Sequence, residues 1–385
     1  MKKKNKAIYL LFLMPFVYFA TACFVVWLVK TSGIYPSGSD TMYHVYRGDY
    51  VYNAIKSGNW YPLYDPAWYN GVEILRYWSP FPAYVMAFCQ YLAGGSQFGA
   101  YLFYIGGVCF LGACVWPFIG RGFNRPYLGA FIGLLWFFMP NNLCAIFIEG
   151  NLARSLSMIF LPVFIYSVYK YLYNHKLRYI PLIVFTFLLM ELCHLGYAGM
   201  VAIAVIIYGI VYIIQKGRKK AVLDVVISMI FGFMLLGIWL VASLRGGITS
   251  LDNSENMANF FQNLWITINP FERLTRGFEY FYFGFAALVV IVFGILFGYK
   301  KSRTGFVTGF IILLMTTKSA YAVLKHLPGS QYLWMLRFIS IALCMILMSF
   351  LMWDRLKKTL VLMLCVLLVV DTIPSLSLIV GEHND

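Results

Sequence analysis

The sequence predicts an all-α polytopic membrane protein, a single transmembrane domain over residues 1–385 with about 11 spans and a long first outer loop. Three observations carry this. The chain is 61% hydrophobic and 12% charged, where a soluble domain carries about 25% charged residues. Apolar runs recur along its whole length, and in lipid such runs must be helices, because every backbone polar group needs an internal partner. Period-2 alternation, the mark of a membrane barrel, is absent.

The net charge of +15 invites nucleic acid as a partner, but its distribution argues otherwise. Basic clusters sit at Lys2–Lys6, Arg121–Arg125, Lys170–Arg178, Lys216–Lys220, Lys300–Arg303 and Arg355–Lys358. Placed on the cytoplasmic side, they hold 19 of the 30 basic residues with only Asp224 and Asp354 among acids; 11 basic and 13 acidic residues remain outside. This asymmetry is the positive-inside pattern, and no nucleic acid is needed to explain it. It predicts an integral membrane protein with a cytoplasmic N-terminus.

The apolar run Ala7–Leu28 is too long for a signal-peptide core and reads as an uncleaved first helix. It delivers an outer loop over 30–95, polar and aromatic from Ser37 to Pro82. Ser79–Gly95 is too short to span, and treating it as interfacial keeps all six basic clusters on one side. Helices are then expected at Phe98–Ile119, Tyr127–Met139 and Ser155–Tyr169, with an outer turn PNNLCAIFIEGNLAR between the last two. Two more meet near His194–Gly196. Ala221–Ser243 and Phe281–Gly298 flank a second outer loop, 243–280, and Thr304–Thr317, Phe338–Trp353 and Thr359–Asp371 complete the set. The eight cysteines form no CxxC pair and read as small core residues. Breaks at Pro140, Pro162, Pro181 and Gly196 survive in lipid only where neighbours or water satisfy freed backbone groups, so the outer helix ends are expected to line a cavity.

Candidate functional residues gather on that outer side. Asp40, His44 and Arg47 follow i, i+4, i+7 spacing, one face of a helix. Asp40 suits a general base, His44 a group that orients it or a phosphate, and Arg47 a source of positive charge; a solvated helix face would show the same spacing. Asp49 follows closely. Trp60, Tyr61, Tyr64, Trp68, Tyr69, Tyr77 and Trp78 suit either an interfacial belt or stacking on sugar rings. Glu149, Asn151 and Arg154 lie in EGNLARS, where Asn151 or Ser155 could cap the next helix. Glu191 and His194 form a lone E-x-x-H, short of a dimetal site. Arg337 reads as a snorkelling anchor or as a phosphate clamp facing the side of Asp40. No P-loop, GxSxG, HExxH or dinucleotide fingerprint occurs.

The D-x3-H-x2-R run at Asp40–Arg47, the G-x-W-Y-P run at Gly58–Pro62 and the aromatic–proline stretch at Trp78–Pro82 resemble the first outer loop of bacterial 6-pyruvoyl-tetrahydropterin-synthase-related membrane proteins. EGNLARSLSMIFLPV, ELCHLG and LWMLRFIS resemble later segments of that family. Its architecture is similar to the GT-C glycosyltransferases and the YfhO-like membrane proteins. The resemblance implies a GT-C-like fold with juxtamembrane helices in the first outer loop, and Asp40 at the position of the catalytic base. It implies transfer of a sugar from a polyprenyl-phosphate donor to an acceptor glycan or lipid on the outer face, with inversion. His44 would assist; Arg47, Asp49, Trp60, Tyr61, Glu149, Asn151, Arg154, His194 and Arg337 would bind substrate. A divalent cation is compatible with this chemistry but not required by it. Many relatives carry a second acid beside the first or a large outer C-terminal domain, and this chain has neither. A flippase of lipid-linked glycans and a non-catalytic assembly protein with the same fold are the alternatives, though no internal repeat of the transporter kind is found.

Overall fold

The computed structural model describes residues 2–33, 35, 38–68, 70–245, 284–326, 334–353, 356–376 and 379, with side chains from residue 12 onward. The expected second outer loop, 243–280, lies outside the described residues from 246 on, as does the C-terminal tail from 380.

The described residues form helices joined by short turns, with one isolated antiparallel bridge between Asp65 and Val72. In chain order these are α1 (Lys2–Ser32), α2 (Thr41–Lys56), α3 (Ile74–Tyr77), α4 (Phe81–Leu92), α5 (Gln97–Gly122), α6 (Pro126–Leu135) and α7 (Pro140–Phe147). Next come α8 (Leu152–Asn174), α9 (Tyr179–Cys193), α10 (Leu195–Lys216), α11 (Lys219–Leu235) and α12 (Gly237–Arg245). The last are α13 (Phe285–Phe297), α14 (Lys300–Met315), α15 (Lys318–Leu324), α16 (Phe338–Met352) and α17 (Lys358–Thr372).

Length and apolarity do not confirm the expected count of about 11 spans among the described residues. Among the described residues five helices suffice alone: Phe12–Ser32, α5, α8, α10 and Met335–Met352. Two bent pairs raise this to seven, α6 with α7 across a 43° bend and α11 with α12 across 62°. The shortfall has physical causes. At 1.5 Å per residue, 15-residue helices such as α9 and α17 reach about 22 Å, short of a hydrocarbon core of about 30 Å. The first turn of α14 carries Lys300, Lys301 and Arg303.

A second difference concerns PNNLCAIFIEGNLAR. The expected turn contains α7, all eight of whose residues are buried. Pro140 and two asparagines look like a turn in sequence, but proline is equally at home in the first turn of a helix, where its missing N–H costs nothing. Asn142 then returns its side-chain amide to the Trp136 carbonyl, 2.6 Å away.

α8 and α16 form the centre of the bundle; 83% of the apolar window of α8 and 89% of that of Met335–Met352 are buried. α5 packs against α1, α4, α6 and α8, and α16 against α14. The outer helices expose large apolar side chains, including Phe16, Phe19, Phe24 and Trp27 on α1 and Phe103, Leu111 and Phe118 on α5. Such a surface suits lipid.

The bundle has two chemically distinct ends. At one, Lys170 donates to the Gly122 carbonyl, the Tyr173 hydroxyl to the Lys301 carbonyl at 3.2 Å, and Arg218 meets His175. Four basic clusters of separate sequence segments thus converge. At the other end lie Asp40, Glu149, His194 and Arg337. The 23-residue α8 joins the ends over about 35 Å, enough to cross a bilayer core.

Between α1 and α5 the chain lays α2, α3 and α4 across this second end. α4, at 12 residues, is about 18 Å long and too short to span, in line with the interfacial helix expected there. α2, α3 and α4 share a small core of Val51, Ile74, Leu75, Ala83 and Ala87, separate from that of the bundle. The layer is stitched to the bundle at Gly38. A Cβ there would sit 2.6 Å from the Gly150 Cα and 2.7 Å from its nitrogen, while Gly150 itself holds φ +61°. The Asp40 and Ser39 amides donate to the Glu149 and Ile148 carbonyls at 2.9 and 3.2 Å.

Gly38→Ala is therefore expected to destabilise the purified protein by about 1–3 kcal/mol through overpacking against immovable backbone. Gly199→Ala, on a helix with nothing within 4 Å of the new methyl, should leave the thermal midpoint unchanged or raise it.

Candidate active site

Asp40 stands at the N-cap of α2, where an aspartate commonly accepts an amide hydrogen of its own helix. Here it makes no such bond. Its carboxylate instead lines a cavity of about 480 Å³ that His44, Arg47, Asn151, His194 and Arg337 share. The helical spacing of Asp40, His44 and Arg47 thus does turn three groups to one side. Burial raises the pKa of Asp40; Arg337 opposes this, Glu149 adds to it and Arg47 opposes it. Burial, then Arg47, His194 and Arg337, lowers His44 well below its ordinary value, so its ring is neutral near pH 7. Arg47 falls to about 10 through burial, with Asp40 opposing, and stays charged.

The opposite wall is built from helix ends. α9 stops at Cys193, and His194 caps α10 by accepting the Tyr197 amide on Nδ1 at 3.1 Å. A ring nitrogen that accepts carries no hydrogen, so the ring proton sits on Nε2. That Nε2 lies 3.4 Å from the Asn151 side-chain nitrogen and 3.4 Å from Arg337 Nη1. Asn151 orients the same way for its own reason: its Oδ1 caps α8 by accepting the Arg154 amide at 2.9 Å, which leaves its NH2 group toward His194. Three donors therefore converge: an imidazole N–H, a carboxamide N–H and a guanidinium N–H. None can accept from the others, and such a cluster is completed by an anionic oxygen.

Glu149 and Arg154 stand behind this wall. Glu149 Oε1 accepts from Arg154 Nη2 at 2.6 Å and Oε2 from Arg337 Nε at 3.2 Å. Arg154 is wholly buried. Two carboxylates, Asp40 and Glu149, thus face three guanidiniums, those of Arg47, Arg154 and Arg337, and the region carries one excess positive charge.

The aromatic wall differs from the expected one. Trp60 and Tyr61 are 72% and 46% exposed and do not line the cavity; Tyr43, Trp68, Trp78, Trp239 and Trp334 do. Trp68 and Trp78 stack in parallel with ring centres 5.5 Å apart, and the Arg47 guanidinium lies 4.2 Å from the Trp78 ring centre, a cation–π arrangement that fixes its direction. Trp68 is placed by Asp65, which pairs with Val72 through both backbone groups and accepts from the Tyr46 hydroxyl at 2.6 Å and the Ala67 amide at 2.9 Å. Asp-Pro at 65–66 and Asn-Gly at 70–71 were the available turn signals. Trp239 is held by its indole N–H to the Leu75 carbonyl at 2.7 Å; its signal was the glycine break beside it. Asp49 also lies off the cavity, accepting from Gln90 at 2.6 Å, and so ties α2 to α4. Among the described residues no three His, Cys, Asp or Glu side chains gather to hold a metal ion.

Glu149→Gln would leave two buried guanidiniums without their shared counter-charge. It is expected to lower stability by about 3 kcal/mol. Glu73→Gln, which removes a pair with Arg76 whose side chains are 28% and 36% exposed, should cost under about 0.5 kcal/mol after solvent screening. Chemical denaturation of both variants in one detergent separates the two.

The family model described as "6-pyruvoyl-tetrahydropterin synthase related domain; membrane protein" matches residues 75–379. That stretch carries Glu149, Asn151, Arg154, His194 and Arg337, and it begins after α2. No curated protein and no solved structure matches the chain. The match covers well over half of the sequence, and the chain belongs to the 6-pyruvoyl-tetrahydropterin synthase related family of membrane proteins.

Proposed function

We propose that the cavity binds a polyprenyl-phosphate sugar and transfers its sugar to an acceptor hydroxyl on a glycan or lipid. The observation that carries this reading is the donor cluster of His194, Asn151 and Arg337 across the cavity from Asp40. A phosphate oxygen satisfies all three donors at once, and a planar, permanently charged guanidinium suits phosphate better than an ammonium. A carboxylate opposite whose pKa is raised by burial is a stronger base toward a hydroxyl than an ordinary aspartate.

Asp40 takes the proton of the acceptor hydroxyl. The acceptor oxygen attacks the anomeric carbon from the face opposite the phosphate, the carbon–oxygen bond to phosphate breaks, and the polyprenyl phosphate leaves with the bonding pair. One in-line displacement inverts the anomeric centre. Arg337, held by Glu149, and the N–H groups of His194 and Asn151 stabilise the charge that grows on the leaving phosphate. Arg47 on the Trp78 face balances the Asp40 carboxylate. Trp68, Trp78 and Tyr43 offer apolar ring faces to a sugar. The similarity of the family's architecture to the GT-C glycosyltransferases, read from the sequence, motivates this chemistry. The excess of basic residues at the opposite end of the bundle supports a site on the non-cytoplasmic face of a bacterial plasma membrane.

The test is transfer of a labelled sugar from a short-chain polyprenyl phosphate by purified protein. Asp40→Asn is expected to lower turnover by about 10²–10⁴-fold while binding of the donor persists. Full turnover by this variant would remove Asp40 as the base; flipping of the lipid in vesicles without transfer would favour a transporter. Burial keeps Asp40 protonated to higher pH than an ordinary aspartate of about 3.9, so activity should rise with pH on the acid limb with a midpoint above that value. Asp40→Asn should abolish the limb.

A further inference from the structure

At the end of the bundle away from Asp40, α8 runs into the turn at residues 175–178, and α10 passes to α11 across Gly217. Between these turns opens a groove of about 900 Å³, at the upper end of the range for ligand sites. The proposed transfer reaction makes no use of it.

One side of the groove is cationic. Arg218, Lys219 and Lys220 line it and are exposed, and His175 touches the Arg218 guanidinium. The single carboxylate among its lining residues, Asp224, accepts the Tyr171 hydroxyl at 2.6 Å. The same side holds the start of α11, a 17-residue helix whose first turn carries no acidic residue and whose cap, Arg218, gives no side-chain acceptor. The first amides of that helix are donors without an acceptor side chain of their own, at the positive end of its dipole. Cations and helix amides thus point to one kind of ligand, an anionic oxygen group.

The other side is apolar. Leu177 is 76% exposed and Ile227 53%, and both line the groove with Ile180. Leu223, Ile227 and Ile230 lie at i, i+4, i+7 on α11 and are all exposed, so the apolar stripe runs on from the groove along the helix. A soluble anion would not account for this half. A phosphate joined to acyl chains would, since its charge meets the basic turn while its chains follow the stripe.

We propose that this groove is a binding site for an anionic phospholipid, whose phosphate sits among Arg218, Lys219, Lys220 and the first turn of α11 and whose acyl chains lie along α11. The site anchors the turns 175–178 and 217–218 to the leaflet at this end of the bundle and does not depend on the chemistry proposed at Asp40.

Native mass spectrometry of the purified full-length protein, offered equal amounts of phosphatidylglycerol and phosphatidylcholine, tests this. Phosphatidylglycerol should be retained roughly tenfold more than phosphatidylcholine, a modest figure for three basic side chains at a lipid surface. Arg218→Gln/Lys219→Gln/Lys220→Gln should abolish the preference. Lys300→Gln/Lys301→Gln/Arg303→Gln removes the same charge from the same end outside the groove and should preserve it. The exposed pair alone, Lys219→Gln/Lys220→Gln, should reduce the preference and serves if the triple variant does not fold. The proposal is overturned if neither lipid is preferred, or if both triple variants lose the preference equally, as diffuse surface attraction would require. It is also overturned if millimolar glycerol phosphate displaces the lipid from the wild type, which would make the occupant a soluble phosphate.

Discussion

Everything at the candidate site depends on a backbone seam. Gly38 and Gly150 approach so closely that neither tolerates a Cβ, and the Asp40 amide donates to the Glu149 carbonyl across the same seam. These contacts join α2, a helix of the overlying layer, to the loop that starts α8 at the centre of the bundle. A carboxylate from one sequence region is thereby set against a carboxylate from another, 109 positions on in the chain. Two like charges this near one another persist only where cations separate them. Arg337 acts on both, Arg47 on Asp40 and Arg154 on Glu149, each from a different element.

Glu149 is the electrostatic hub of this arrangement. It is shared by the wholly buried Arg154 and by Arg337 at the cavity wall, so one carboxylate sets the direction of the guanidinium that points into the cavity. Isolated buried charges are costly, and a network of this kind holds together because each member is paired. The capping roles of Asn151 and His194 add to it. Each uses its acceptor atom to terminate a helix and thereby turns its donor toward the cavity. Capping a helix and presenting a donor to the cavity are thus one arrangement at both residues.

Much of this was legible in the sequence. The spacing of Asp40, His44 and Arg47 is a local helical property, and it does turn all three to one side. The basic clusters could be grouped from charge alone, and the contacts of Lys170 with Gly122, Tyr173 with Lys301 and Arg218 with His175 bring four of them together. Less legible were features set by distant partners. Trp60 and Tyr61 look no different in composition from Trp68 and Trp78. The Asp65–Val72 bridge, a pairing that turn signals alone do not announce, helps to bring Trp68 to the cavity. α7 resembled a turn because Pro140 and its asparagines signal turns as well as helix starts. The count of about 11 spans is not confirmed among the described residues, because apolar runs do not reveal that helices such as α9 and α13 are too short to cross on length alone.

The central claim is that the donors of His194, Asn151 and Arg337 await a phosphate oxygen. Equilibrium binding of a short-chain polyprenyl monophosphate to the purified protein, beside the matching uncharged polyprenol, addresses it most directly. Saturable binding of the phosphate, weakened roughly tenfold or more in Arg337→Gln, with no comparable binding of the polyprenol, is the predicted result. Equal binding of phosphate and alcohol, or an Arg337→Gln variant that binds the phosphate as well as wild type, would contradict it.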